Sequence, residues 1–154
     1  MNEIRFYRAT GQYGFLSNLW REPMVFEDRE WPTAEHAYQF GKAANPDVAE
    51  WIVAAPKPHL VAAAAHALFH WDVRPGWNDE KVDRMRAVLR AKFAGPLGER
   101  LLATGDARLV EESKTDSFWG TGPRGKGRNM LGLLLVETRW RLLPAQSAEE
   151  AAEI

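Results

Sequence analysis

The chain contains no cysteine among its 154 residues. Disulfide bridges and thiolate metal sites are therefore excluded, and with them a secreted scaffold stapled by disulfides. It has no excess of charge, with 20 Lys and Arg against 21 Asp and Glu, so the broad electrostatic footprint of a protein that coats nucleic acid is missing. Any phosphate recognition must be local. No stretch approaches the ~20 apolar residues needed to span a bilayer, and Met1-Asn2-Glu3-Ile4-Arg5 opens without the apolar run of a signal peptide. A cytoplasmic protein with no membrane partner is expected. Gly-Lys-Ser and Gly-Lys-Thr are absent, which excludes a P-loop, and no nucleophile-elbow pattern supports a Ser-His-Asp triad.

What the chain does contain is enough for one core. Its length and 45% hydrophobic content suit one domain and are too little for two ordinary ones. Seven Trp and seven Phe are a heavy aromatic load. Trp20, Trp31, Trp77 and Trp119 stand beside Gly, Pro, Asn or Asp rather than in apolar runs, where rings can wall a flat ligand.

Patterning predicts a short strand around Ile4-Arg5-Phe6-Tyr7 and a hairpin in which Met24-Val25-Phe26-Glu27 and Glu30-Trp31 flank Asp28-Arg29. Thr33 then caps a helix running to about Ala44, and Asn45-Pro46-Asp47 starts another over roughly Val48 to Ala55. An alanine-rich helix follows from Leu60 to Phe69, its small side chains allowing close packing. Asn78-Asp79 opens a strongly periodic helix ended by Gly95-Pro96, and Leu97 to Ala103 makes a short one. Arg108 to Glu112 is a candidate strand, and Asn129 to Leu143, apolar on most faces, reads as a buried helix. The fold class expected is mainly α, of α+β type: one compact multihelical domain over 1–154, with a few short strands near the N-terminus. Its core covers about 6–143, and 144–154 form a frayed tail.

Chemistry concentrates in two places. On a helix through Trp31 to Lys42, Glu35, Gln39 and Lys42 fall within about 60° of one another at 100° per residue. One face then holds an acid, an amide and an amine, a possible catalytic floor, although a Glu in a first helical turn and an exposed Lys are also ordinary surface decoration. His36 lies one position round from that face; without a second His four residues on, it reads as a polar core residue rather than a metal ligand. His66 and His70 have helical spacing with His59 nearby, but no acidic third ligand accompanies them, so no metal is expected. The second place is Asp116 to Asn129, with four glycines, three cations and a helix start directly after it. Glycines let backbone amides converge on an anion, and a helix N-terminus adds partial positive charge. Gly120-x-Gly122-x-x-Gly125 is not a dinucleotide fingerprint, because no alternating strand and helix pattern surrounds it. Asp116 can bind a ribose hydroxyl or cap a turn; Trp119 can stack on a base or anchor the loop. Asn18, after a Gly-containing turn, can present its amide to a ligand or close its own turn.

The ordered segments Phe15-x-Ser17-Asn18, Trp31-Pro32-Thr33-x-Glu35-His36-x-x-Gln39-x-x-Lys42, Leu89-Arg90-Ala91-Lys92-Phe93, Leu109-Val110-Glu111, Asp116-x-x-Trp119-Gly120-x-Gly122 and Gly125-x-Gly127-x-Asn129-x-Leu131-Gly132 resemble the NADAR superfamily, also called YbiA-like. The likeness covers roughly residues 6 to 143. It implies a mainly helical N-glycosidase that cleaves the bond between ribose C1 and a base nitrogen without metal or cofactor. Two kinds of substrate are implied: phosphoribosylamino-pyrimidine intermediates of riboflavin synthesis, and ADP-ribose attached to guanine in nucleic acid. By this likeness Glu35 is the acid/base, because a carboxylate near C1 stabilises an oxocarbenium-like transition state. Lys42 is a nucleophile forming a Schiff base, or a charge clamp. Substrate contacts are expected from Asn18, Trp31, His36, Gln39, Trp77, Asp116, Trp119, Gly120, Gly122 and Asn129. Gly41 stands where some relatives carry Gln, and Thr121 replaces an acid found after Trp-Gly in some. A module that binds ADP-ribose or nucleotides without cutting them is the alternative.

Overall fold

The computed structural model describes residues 2–144; the tail expected to fray lies, beyond Pro144, outside the described residues. The elements run β1 (Glu3–Phe6), β2 (Met24–Phe26), β3 (Arg29–Trp31), α1 (Ala34–Gln39), α2 (Pro46–Val53), α3 (Pro58–His66), α4 (Trp77–Lys92), α5 (Leu97–Leu102), β4 (Arg108–Glu111) and α6 (Met130–Arg141), with short 3-10 turns at Gly14–Leu16 and His70–Asp72. This is the mainly helical α+β class expected. No described helix is long and apolar enough to cross a membrane. Two units divide the chain, one of residues 7–92 and one of the residues up to 6 with those from 93 onward.

In the 7–92 unit, β2 and β3 pair antiparallel, Met24 with Trp31 and Phe26 with Arg29. Glu27 and Asp28 join them with φ of 53° and 58°, the doubly positive turn whose twist matches a hairpin. Thr33 caps α1 as expected, its hydroxyl accepting from the His36 amide. Asn45 caps α2 through its side chain, and Pro46 occupies the first turn, where its missing N–H costs nothing. Ala49 and Ile52 of α2 meet Val61 and Ala65 of α3 in a small buried cluster closed by Phe40, Val53 and Leu68. The alanines do allow close packing, though α3 begins and ends earlier than the pattern suggested.

The other unit pairs β1 with β4 in parallel, Ile4 beside Leu109, a partnership that local sequence gives no sign of. α6 packs on β4 through Leu131, Leu134 and Leu135. A Cβ at Gly132 would run into the Leu109 carbonyl, so only glycine permits that approach. The expectation that α6 is buried on most faces is corrected: Leu133 and Trp140 are exposed, and one side of the helix meets solvent.

Candidate functional site

α1 ends at Gln39, more than one turn before the end near Ala44 that patterning predicts, and the cause is Arg84 of α4. Its Nη2 and Nε donate to the Ala37 and Tyr38 carbonyls at 2.6 and 2.9 Å. Those are the acceptors that the amides of residues 41 and 42 would need to continue the helix. Gly41 and Lys42 instead bond back three residues, to Tyr38 and Gln39, and the chain turns away. A Cβ at position 41 would collide with the Arg84 guanidinium, so glycine there makes room for the cation that ends the helix. The single helical face of Glu35, Gln39 and Lys42 is thus corrected: Lys42 sits in the turn after α1, fixed by the Arg74 amide donating to its carbonyl at 2.8 Å.

The three groups remain a cluster. Glu35 is 9% exposed and Gln39 4%, and Gln39 Nε2 donates to Glu35 Oε1 at 2.9 Å. Lys42 Nζ donates to the Ala65 carbonyl at 2.9 Å, in the last turn of α3 where the helix dipole favours a cation. Burial lowers the Lys42 pKa below that of an ordinary lysine, Lys81 lowers it further, and the Glu35 charge opposes both. The amine is more readily neutral than a surface lysine while still feeling the carboxylate. That is the condition an amine nucleophile needs.

Asn18 joins this cluster through its backbone. Its carbonyl accepts from the Glu35 amide at 3.1 Å, while its Nδ2 donates to the Met85 thioether at 3.2 Å. Asn18 Oδ1 and Gln39 Oε1 are both buried and accept no hydrogen bond from the protein. Buried acceptors are nearly always satisfied, so these two are exceptions that call for an explanation.

Lys92 carries a role that sequence reasoning did not assign. It is buried at the end of α4, and its Nζ donates to the Ser17 carbonyl at 2.8 Å, next to Asn18. Burial pushes its pKa down to about 7, with Glu22 opposing. A lysine in an otherwise apolar helical face, Met85, Val88 and Leu89, was the available signal.

Three of the expected contact residues have side chains engaged within the fold. Trp31, 2% exposed, donates from Nε1 to the Phe26 carbonyl at 2.9 Å and packs on Phe40 with centroids 5.0 Å apart. It locks the hairpin. His36 is sealed: its Nε2 lies 3.1 Å from the Ala55 carbonyl and its Nδ1 2.8 Å from the Thr33 hydroxyl. The carbonyl must accept, so Nε2 carries the proton and Nδ1 accepts from Thr33. Desolvation lowers the His36 pKa, the Ala55 bond partly offsetting it, which keeps the ring neutral. Trp77 opens α4 and packs on Tyr38 at 5.4 Å, a core ring rather than a loop wall.

The glycine-rich segment is likewise not the open cradle expected. Amides of Asn129, Met130 and Leu131 donate to the carbonyls of Gly120, Phe118 and Trp119, at 3.1, 3.0 and 3.0 Å. The start of α6 is therefore closed by its own loop. A Cβ at Gly120 would lie 2.8 Å from the Glu111 carbonyl, and one at Gly127 would lie 2.5 Å from the Gly120 carbonyl. These glycines serve close backbone packing, and Gly122 likewise abuts Ser117. Asn129, with φ 51°, spends both ends of its amide on β4, accepting from the Glu111 amide and donating to the Leu109 carbonyl, each at 2.9 Å. Asp116 caps the loop, its Oδ1 accepting from the Phe118 and Trp119 amides at 2.9 and 2.8 Å. Trp119 is half-buried, edge-on to Phe118. Arg124, Lys126 and Arg128 remain exposed.

The 7–92 unit thus holds a buried carboxylate oriented by an amide, a lysine with a lowered pKa, and two buried acceptors without a protein partner. Among the described residues no group of three or more His, Asp or Glu is placed to hold a metal ion. The NADAR domain model matches residues 5–143, and the chain belongs to that family. N-glycosidase YbiA of Escherichia coli strain K12 is 39% identical over 141 residues, 90% of this chain and 88% of the relative. The riboflavin biosynthesis protein VVA0006 of Vibrio vulnificus is 36% identical over 141 residues, which are 90% of this chain and 38% of that longer protein. The NMR structure of the E. coli protein YbiA matches with a TM-score of 0.80 at 36% identity, covering 99% of this chain and 89% of that one.

Proposed function

We propose that this chain hydrolyses the ribose C1–N bond of a phosphorylated riboside, with Glu35 as acid/base and Lys42 as nucleophile or charge clamp. It is a hydrolase of N-glycosyl compounds. The observation that carries the residue assignment is the Glu35 carboxylate, nine-tenths buried, held by Gln39 and coupled to Lys42. In the nucleophilic route the neutral Lys42 amine bonds to C1 while the C1–N electrons leave with the base nitrogen, which takes the proton of Glu35. The Glu35 carboxylate then takes a proton from the new ammonium, the sugar ring opens to an imine, and water hydrolyses it to the free sugar and amine. In the clamp route Lys42 stays charged and Glu35 activates the water directly.

The leaving base we favour is an amino-pyrimidine, because a relative is named for riboflavin biosynthesis. ADP-ribose on guanine in an oligonucleotide is the second substrate to offer. Purified protein is given each substrate and released sugar phosphate is measured. Turnover of the phosphoribosylamino-pyrimidine, lost in Glu35→Gln with folding retained, is the expected result. Turnover of the guanine adduct alone reassigns the base. Binding of both without release replaces the enzyme by a nucleotide-binding module.

A further inference from the structure

We propose that Asn18 Oδ1 and Gln39 Oε1 read the vicinal hydroxyls of the ribose, so that the site selects ribosides over their deoxy counterparts; this rests on the N-glycosidase reading. Both side chains are more than nine-tenths buried, at 7% and 4% exposure, and both oxygens lack a protein partner. Their orientation is forced by chemistry. The ionised Glu35 carboxylate and the Met85 thioether accept, so with Glu35 ionised Gln39 turns its NH2 towards Glu35, and Asn18 its NH2 towards Met85. Each amide therefore offers its oxygen, an acceptor that asks for a donor.

Both residues contact Glu35, one through its side chain and the other through its backbone. Gln39 touches the Glu35 carboxylate, and the Asn18 carbonyl holds the Glu35 amide. A carboxylate that addresses C1 has the hydroxyls of C2 and C3 as the nearest donors on the sugar. A hydrogen bond accepted from the 2-hydroxyl also strengthens as positive charge develops at C1, so it favours the transition state over the bound substrate. A site built to bond a hydroxyl discriminates against the analogue that lacks it, because its buried polar group is then left unpaired.

The test measures kcat/KM for a 5-phosphorylated N-riboside, its 2-deoxy form and its 3-deoxy form, each divided by its uncatalysed hydrolysis rate, since deoxy sugars are intrinsically more labile. The wild-type protein is expected to favour the riboside by about 10- to 100-fold over at least one deoxy form. Gln39→Met and Asn18→Leu are expected to lose most of that ratio; each also removes an amide donor, to Glu35 or to Met85, so the melting temperature is measured alongside. A general packing defect would lower all three rates together and leave the ratio alone. Equal normalised rates in the wild type, or a ratio unchanged in both variants, overturn the proposal. If no riboside is cleaved, the catalytic reading falls separately. The hydroxyl reading is then decided by binding of ribose 5-phosphate against 2-deoxyribose 5-phosphate, tighter binding of the former supporting it and equal binding overturning it.

Discussion

The Glu35 cluster and the glycine-rich loop exchange roles between sequence and structure. The loop has the composition of an anion cradle, yet the amides of Asn129, Met130 and Leu131 are bonded within it, and its asparagine braces β4. The cluster has the composition of a decorated surface helix, yet it is buried and holds two acceptors that the protein leaves unfilled. Glycine and charge mark where a backbone can fold tightly; unmet hydrogen bonds at buried positions mark where a ligand belongs. The second signal is invisible until side chains have been placed.

The contrast can be broken most severely at Glu35. Glu35→Gln keeps the shape and removes the ionisable proton, and turnover is expected to fall about 10²- to 10⁴-fold in the sugar phosphate assay. Lys42→Ala is expected to cost about 10²-fold or more. Borohydride should trap an adduct on the wild type and none on this variant if the lysine bonds to C1. Because burial lowers its pKa, the rising limb of the rate with pH should lie below that of an ordinary lysine.

Asn129→Ala tests the loop as architecture. Losing both of its bonds to β4 is expected to lower stability by about 2–4 kcal/mol in chemical denaturation, with kcat per folded molecule changed far less. Lys92 gives a pH signature. Folded, it releases its proton near 7 against 10.5 for the ordinary group. Between these values the unfolded chain binds a proton that the folded chain does not, so stability should rise with pH across that window. Below it both states are protonated and the full cost of the buried cation is present. Lys92→Met should flatten most of this rise; an unchanged slope contradicts the assignment. The smallest effect is expected from replacing Arg124, Lys126 and Arg128 by Ala: less than about tenfold in KM and little in kcat, since exposed cations act through screened attraction.

Much of the fold was legible. The hairpin turn at Glu27-Asp28, the caps at Thr33 and Asn45, and the stretches that became α2 to α6 follow from local chemistry. The parallel pairing of β1 with β4 was not, because register between strands a hundred residues apart leaves no local trace. At the site, Glu35 and Gln39 were readable as helical neighbours. Lys42 was misplaced because the helix is ended by Arg84, a residue from a distant segment whose guanidinium takes the last carbonyls. The burial of Trp31 and Trp77 was not legible, since flanking polar residues say nothing about which ring the core claims.

The chemistry is assigned to the Glu35 cluster and not to the glycine-rich loop. One assay tests it most directly: sugar phosphate release from the phosphorylated riboside by Glu35→Gln and by the triple Arg124, Lys126 and Arg128 alanine variant, side by side with the wild type. Turnover is expected to fall at least about 10²-fold in the first and to be largely kept in the second. Full turnover in Glu35→Gln, with loss in the loop variant, would contradict it.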